Sequence, residues 1–361
     1  MCRRPRNEPE PKHRPQLMLA VVAEGVGAVA LHERHAPEAP SPGEVVLRPE
    51  AVGICGSDFH FIAGELSDQA GGSQFPRVLG HEVAGTIVAL GEGCRHELET
   101  GQRVALYPLR ACGRCYPCSV GRPNTCDNFS LIGIHCDGGL QELLRAGQDQ
   151  VFPIRAEDSA VAAMAEPVSI AVRAVNRASV REGEKAVVLG AGPIGQCVSL
   201  VARERGAEVL AVDLQESRLA LSEQLGCQTL VWSEAEEVVA RAREWAAPAG
   251  PPVVFDATGA ASAVRAMVEM VASAGRAVQI GMSGEEVSLR IGSLTEKELD
   301  LLGVSCCGAE EFAEAVAAVE RHAGVVARLI SHRFPLAQAP DAIRFAMENP
   351  NEVMKVVIEG E

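Results

Sequence analysis

Apolar positions between residue 17 and about residue 160 come in short runs. "AVVAEGV", "GEVVLRPEAVGI" and "AGTIVAL" alternate or cluster β-branched residues between glycine and proline turn signals. The pattern predicts a β-rich half with long loops. Near residue 160 the period changes: "DSAVAAMAEPVSIAVRAVNRA" is alanine-rich, with apolar positions at helical spacing. From residue 185 strand-like and helix-like runs alternate, as "KAVVLG", "PIGQCVSLVARERG", "AEVLAVD" and "SRLALSEQLG". The alternation continues through "PPVVFDATG", "SAVRAMVEMVASAG", "RAVQIGM" and "LDLLGV". Such a series predicts an α/β fold with a doubly wound parallel sheet. From about residue 306 the pattern predicts a helix in "AEEFAEAVAAVERH", then "IRFAMENP" and a last strand, "MKVVIEG".

The 361 residues are 47% apolar and 22% charged, a globular composition long enough for two domains. A formal net charge of −15 disfavours nucleic acid and anionic membrane as partners. No apolar run reaches the ~18 residues of a spanning helix. Residues 1–16, "MCRRPRNEPEPKHRPQ", are polar and proline-rich and read as a disordered extension without the apolar stretch of a signal peptide. The expected location is therefore the cytoplasm. In that reducing compartment the twelve cysteines are expected to be free thiols or metal ligands.

Three sets of residues carry chemistry. Gly190, Gly192 and Gly195 spell G-x-G-x-x-G, enclosing Pro193 and Ile194, between a predicted strand and a predicted helix. There the glycines allow a tight turn and a close approach of pyrophosphate to the helix N-terminus. Asp213 closes the next strand, where a carboxylate suits the ribose hydroxyls of NAD and repels the extra phosphate of NADP; Arg218 follows one helical turn later. A purely structural turn with a solvated aspartate is the alternative. Next, "RACGRCYPCSVGRPNTC" places Cys112, Cys115, Cys118 and Cys126 within seventeen positions. Four thiolates can enclose zinc tetrahedrally. An iron–sulfur run would need its fourth cysteine three residues on, followed by proline, but here the gap is seven and Asp127 follows. Finally, "GICGSDFH" holds Cys55, Ser57, Asp58 and His60, "VLGHEVAG" holds His81 and Glu82, and "MAEPVS" holds Glu166. Taken singly, each has an ordinary reading as a packed thiol or a solvated polar group.

Together these motifs resemble the zinc-dependent medium-chain alcohol dehydrogenases, in the sorbitol/polyol and sugar-acid branch. G-H-E-x-x-G stands here as Gly80, His81, Glu82 and Gly85 and continues to Gly91. Cys55 precedes it, and the cysteine lobe and the glycine fingerprint follow in the family's order. The resemblance spans nearly the whole chain from residue 17. It implies a GroES-like β-rich catalytic domain over 17–165, with 306–361 returning to it, and a Rossmann NAD-binding domain over 166–305. It implies two zinc ions per chain: a structural one on Cys112, Cys115, Cys118 and Cys126, and a catalytic one on Cys55, His81 and Glu166, with Glu82 as alternate ligand. Ser57 and His60 match the family's proton relay, and Asp58 would orient His81. NAD would bind at Gly190, Gly192, Pro193, Ile194, Gly195, Asp213 and Arg218.

The reaction so implied transfers a hydride from a secondary alcohol of a polyol or sugar acid to NAD+, giving a ketone. A vicinal diol or acetoin dehydrogenase shares the same ligands and is the alternative. Relatives of this kind assemble as homodimers or homotetramers, and "VQIGM" or "LDLLGV" would supply the seam. Two departures stand out. Arg173 replaces a usual histidine, and "GVSCCG", with Cys306 and Cys307, replaces a segment that usually carries arginine. Cys306 and Cys307 read as packed thiols, and Arg173 is a candidate cation for a sugar-acid carboxylate. The polar stretch "HFIAGELSDQAGGSQ", residues 60–74, is expected to set substrate choice.

Overall fold

The computed structural model describes residues 17–66 and 73–360. The 1–16 extension and part of the 60–74 stretch lie outside those residues.

The first half is built on antiparallel strands, as its alternating pattern predicts. Leu17–Gly25 pairs with Ala28–His35 and Arg77–Val78. A seven-stranded sheet runs in the order Val151–Pro153, Arg103–Leu106, Glu82–Leu90, Glu44–Gly53, Val356–Glu359 and His332–Pro335, with Leu144–Gly147 also pairing to Glu44–Gly53. Two registers matter for the site. Gly53 lies opposite Glu82, and Val357 lies opposite Gly53. The end of the chain is thereby brought beside the segment entering Cys55.

The second half is a six-stranded, wholly parallel sheet. Its order is Gln228–Val231, Glu208–Asp213, Lys185–Leu189, Val253–Asp256, Arg276–Gln279 and Asp300–Gly303. The central strands are continuous apolar runs because helices cover both faces; Val187, Val188, Val253 and Val254 have no exposed surface. One strand–helix unit was not read from the sequence: Gln228–Val231 and Ala235–Trp245. This strand is an edge strand of four residues, and its helix buries only Val238 and Ala242. Of the two strands expected at a subunit seam, Asp300–Gly303 is at a sheet edge with Leu301 exposed, whereas Arg276–Gln279 is interior.

The helices Ala165–Ala178 and Ala309–Arg321 lie against each other and join the core on one face of this sheet. Phe312, Ala315 and Val319 are fully buried there. Phe312 also meets the rings of Tyr107 and Phe152, so the helix Ala309–Arg321 already touches the first half, ahead of the strand His332–Pro335 in its sheet. No helix among the described residues is long and apolar enough to cross a membrane.

Candidate metal and dinucleotide sites

The helix Gly56–Ala63 starts from Cys55, whose backbone N–H donates to the Asp58 carboxylate at 2.9 Å. This cap turns the chain so that the Cys55 thiol meets His81 and Glu82 at the start of the strand Glu82–Leu90. One donor atom from each of Cys55, His81 and Glu82 lies within 4.8 Å of the other two. Sulfur, imidazole nitrogen and carboxylate oxygen are the donors zinc takes. Asp58 is fully buried, with Oδ1 3.5 Å from His81 Nδ1, and neither atom has a hydrogen-bond partner. Ser57 Oγ lies 3.3 Å from His81 Nε2. Burial opposes charge on His81, but Asp58 and Cys55 hold its pKa well above the ordinary value. An ion entering the site would displace that proton.

Glu166 stands beside this trio rather than within it. It occupies the first turn of the helix Ala165–Ala178 and is buried. Burial pushes its carboxyl up to about 7, and the neighbouring His81 offsets this only in part. Glu82 is already engaged: Lys355 Nζ donates to both its oxygens, at 2.7 and 2.8 Å, and to the Ile54 carbonyl at 3.1 Å. Burial works against the Lys355 ammonium, yet Glu82 and then Cys55 hold its pKa above the usual lysine value. Sequence reasoning missed Lys355. Its one signal was a lysine directly ahead of the apolar run Val356–Ile358. His60 is half-exposed, with Nδ1 3.1 Å from Glu65 Oε2.

The four lobe cysteines also converge. Cys115 Sγ is 3.4 Å from Cys118 Sγ and 3.6 Å from Cys126 Sγ. Four sulfurs at Zn–S bonds of about 2.3 Å would lie about 3.8 Å apart, so the set fits one tetrahedral ion. The backbone N–H groups of Cys112 and Asn128 donate to Cys126 Sγ, at 3.2 and 3.3 Å, which favours a thiolate. The backbone N–H groups of Arg114 and Cys115 bring the Cys112 thiol down to about 6. Every cysteine among the described residues is free of disulfide.

At the glycine fingerprint Gly190 takes φ +91°, and a side chain on Gly195 would strike the Gly190 carbonyl. Gly192 caps the helix Pro193–Glu204 and faces open space apart from Arg218. Asp213 is buried at its strand end; its oxygens accept from Ala191 N at 2.6 Å and Gln215 N at 2.9 Å. Arg218 donates to the Pro350 carbonyl at 2.7 Å. A recess of about 270 Å³ is lined by Cys55 and Glu82 on one side and by Gly192, Pro193, Ile194 and Gly195 on the other. Two of the three clustered donors, Cys55 and Glu82, and the glycine turn therefore share one cavity.

The departing segment is tied to the first half by two hydrogen bonds. Asn124, from the cysteine lobe, donates to the Ser305 carbonyl at 2.8 Å, and the Tyr107 hydroxyl donates to the Cys307 carbonyl at 3.0 Å. Cys307 is buried, as expected of a packed thiol. Cys306, held at φ +47°, is half-buried; burial raises its thiol, and Glu166, His81 and Cys55 are all electrostatic neighbours. Arg173 is not offered to the cleft, because it pairs with Glu311 at 3.0 Å.

The two-domain fold, the zinc-type donor sets and the fingerprint define a zinc-binding dehydrogenase. Residues 41–156 match the alcohol dehydrogenase GroES-like domain, and residues 193–321 match the zinc-binding dehydrogenase domain. L-galactonate-5-dehydrogenase of Escherichia coli K12 is 33% identical over 89% of this chain and 94% of its own. Sheep (Ovis aries) sorbitol dehydrogenase is 32% identical over 94% and 96%. RspB from E. coli CFT073, crystallised with NADH, superposes with a TM-score of 0.85 at 30% identity, covering 95% of this chain and 99% of that one. A zinc-binding dehydrogenase of Sinorhizobium meliloti bound to NADP gives 0.86 at 30%, over 95% and 99%. The chain belongs to the zinc-dependent medium-chain alcohol dehydrogenase family, in its polyol and sugar-acid branch.

Proposed function

We propose that the protein oxidises a secondary alcohol of a polyol or sugar acid to a ketone, passing the hydride to NAD+. The cavity shared by Cys55, Glu82 and Gly192–Gly195 supports this reading, since its two walls would hold an alcohol at the zinc-type donors and a nicotinamide at the glycine turn next to each other. Zinc supplies a Lewis acid that lowers the pKa of the alcohol hydroxyl. Cys55, His81 and Glu166 would hold it, with Glu82 as alternate ligand, and Asp58 would orient the His81 ring. Ser57 takes the proton leaving the alcohol, and His60, half-exposed, passes it to water. The backbone N–H groups of Gly192, Ile194 and Gly195, Pro193 having none, would receive the pyrophosphate, and Asp213 the ribose hydroxyls. The protein acts in the cytoplasm as a homodimer or homotetramer, with the exposed edge of Asp300–Gly303 as the seam.

The test is NADH formation across polyols, aldonates, vicinal diols and primary alcohols. A sugar alcohol or sugar acid should lead. A vicinal diol in front would move the protein to the butanediol-type reading, and silence from zinc-loaded protein would remove the polyol assignment.

Two further outcomes are expected. Asp213→Ala removes an anion at the ribose site, so the KM for NAD+ rises about 10- to 100-fold while NADP+ is discriminated against less. Unchanged discrimination would take Asp213 out of the site. Cys115→Ala should lower bound zinc by one ion per chain and shorten the thermal half-life, because the lobe has little core of its own. Residual enzyme should keep its KM for NAD+. Full zinc content in this variant would end the structural-zinc assignment.

A further inference from the structure

Arg122, Arg173 and Arg177 surround a second recess, of about 310 Å³, whose other walls are Asn176 and the Val120–Gly121 turn. Arg122 belongs to the cysteine lobe, between Cys118 and Cys126. Arg173 and Arg177 stand four residues apart on the helix Ala165–Ala178, so they share a face.

The charges in this recess are not balanced. Arg173 pairs with Glu311 at 3.0 Å, and its Nε is buried without a partner. Arg177 Nε donates to the Gly303 carbonyl at 3.3 Å. Neither Arg122 nor Arg177 forms an ion pair among the described residues. Burial, then the charges of Arg122 and Arg173, pull the pKa of Arg177 down. Three guanidinium groups thus crowd one another on a chain whose net charge is −15. The hydride-transfer site does not use them, since its recess has a different lining.

We propose that this recess binds a small multivalent oxyanion, a phosphate or a polycarboxylate. Guanidinium forks match such oxygens in pairs, and the two unpaired ones, Arg122 and Arg177, reach from two separate elements with the Glu311-paired Arg173 beside them. The bound anion ties the cysteine lobe to the helix whose first turn carries Glu166. Two residues beyond Arg122 in the same lobe, Asn124 donates to the Ser305 carbonyl. The inference does not depend on which alcohol is oxidised.

Inorganic phosphate is the probe, titrated calorimetrically into zinc-loaded protein saturated with NAD+, at ionic strength held constant with chloride. Saturation keeps phosphate out of the pyrophosphate site. Citrate in parallel separates a phosphate preference from a carboxylate preference. One anion per chain should bind, and Arg122→Gln and Arg177→Gln should each weaken it about tenfold or more. Turnover without phosphate and zinc content should be unchanged in Arg122→Gln, an exposed position outside the cavity lined by Cys55 and Glu82. No binding of either anion to the parent protein, or the parent's affinity retained in both variants, overturns the proposal. So does dissociation of the assembly in the variants without anion binding, which would assign the recess to carboxylates of a second copy.

Discussion

Cys55→Ala is expected to carry one zinc ion per chain where the parent carries two, and to lose at least ~10³-fold in kcat. The size follows from the loss of a Lewis acid worth several kcal/mol, each ~1.4 kcal/mol being tenfold in rate. The substitution should not unfold the site. The cap that starts the helix Gly56–Ala63 uses the backbone N–H of Cys55, not its thiol, and Asp58 stays bound to it. NAD+ binding should survive, because the glycine turn lies on the other wall of the cavity. Metal analysis, single-turnover hydride transfer and NADH fluorescence titration check the three parts. Retention of both ions together with full activity would sink the catalytic-metal assignment. The same measurements on Glu166→Gln and Glu82→Gln identify the resting carboxylate ligand. The expected loser of zinc is Glu166→Gln, because both Glu82 oxygens are already held by Lys355 while burial leaves Glu166 in need of a cation.

That choice between two glutamates shows where reading a sequence stops. Cys55, His81 and the lobe cysteines are legible because their spacing is local and their chemistry unusual. The strands Lys185–Leu189 and Val253–Asp256 are legible because burial on both faces leaves an unbroken apolar run. Gln228–Val231 and Ala235–Trp245 escape notice for the opposite reason, one being an edge strand and the other mostly solvated. Lys355 is beyond reach for another cause. It meets Glu82, 273 residues away, only because two strand registers meet at Gly53. A pattern within a segment reports which face is buried, not which residue lies across the sheet. Arg173 misled in the same way: its partner, Glu311, lies on a helix that returns 138 residues later.

Lys355→Met should have the largest effect on stability. Glu82 is 1% exposed and Lys355 4%, so the substitution leaves a buried carboxylate without a counter-ion and the Ile54 carbonyl without a donor. Breaking such a pair from one side costs about 3–5 kcal/mol. Zinc changes the outcome. Released from Lys355, Glu82 is free to turn toward the ion beside Cys55 and His81, and that contact offsets part of the loss. The zinc-stripped variant should therefore melt well below the zinc-stripped parent, while the zinc-loaded pair differs less. Adding Glu82→Gln removes the stranded charge and should restore part of the stability of the stripped protein, at a cost to zinc retention if Glu82 ligates in the single variant. Melting curves for the parent, both single variants and the double variant, with and without chelator, complete the cycle. If the stripped Lys355→Met protein melts with its parent, the Glu82–Lys355 pair does not hold this end of the chain to the site. An equal deficit with and without zinc would instead leave Glu82 outside the metal's coordination.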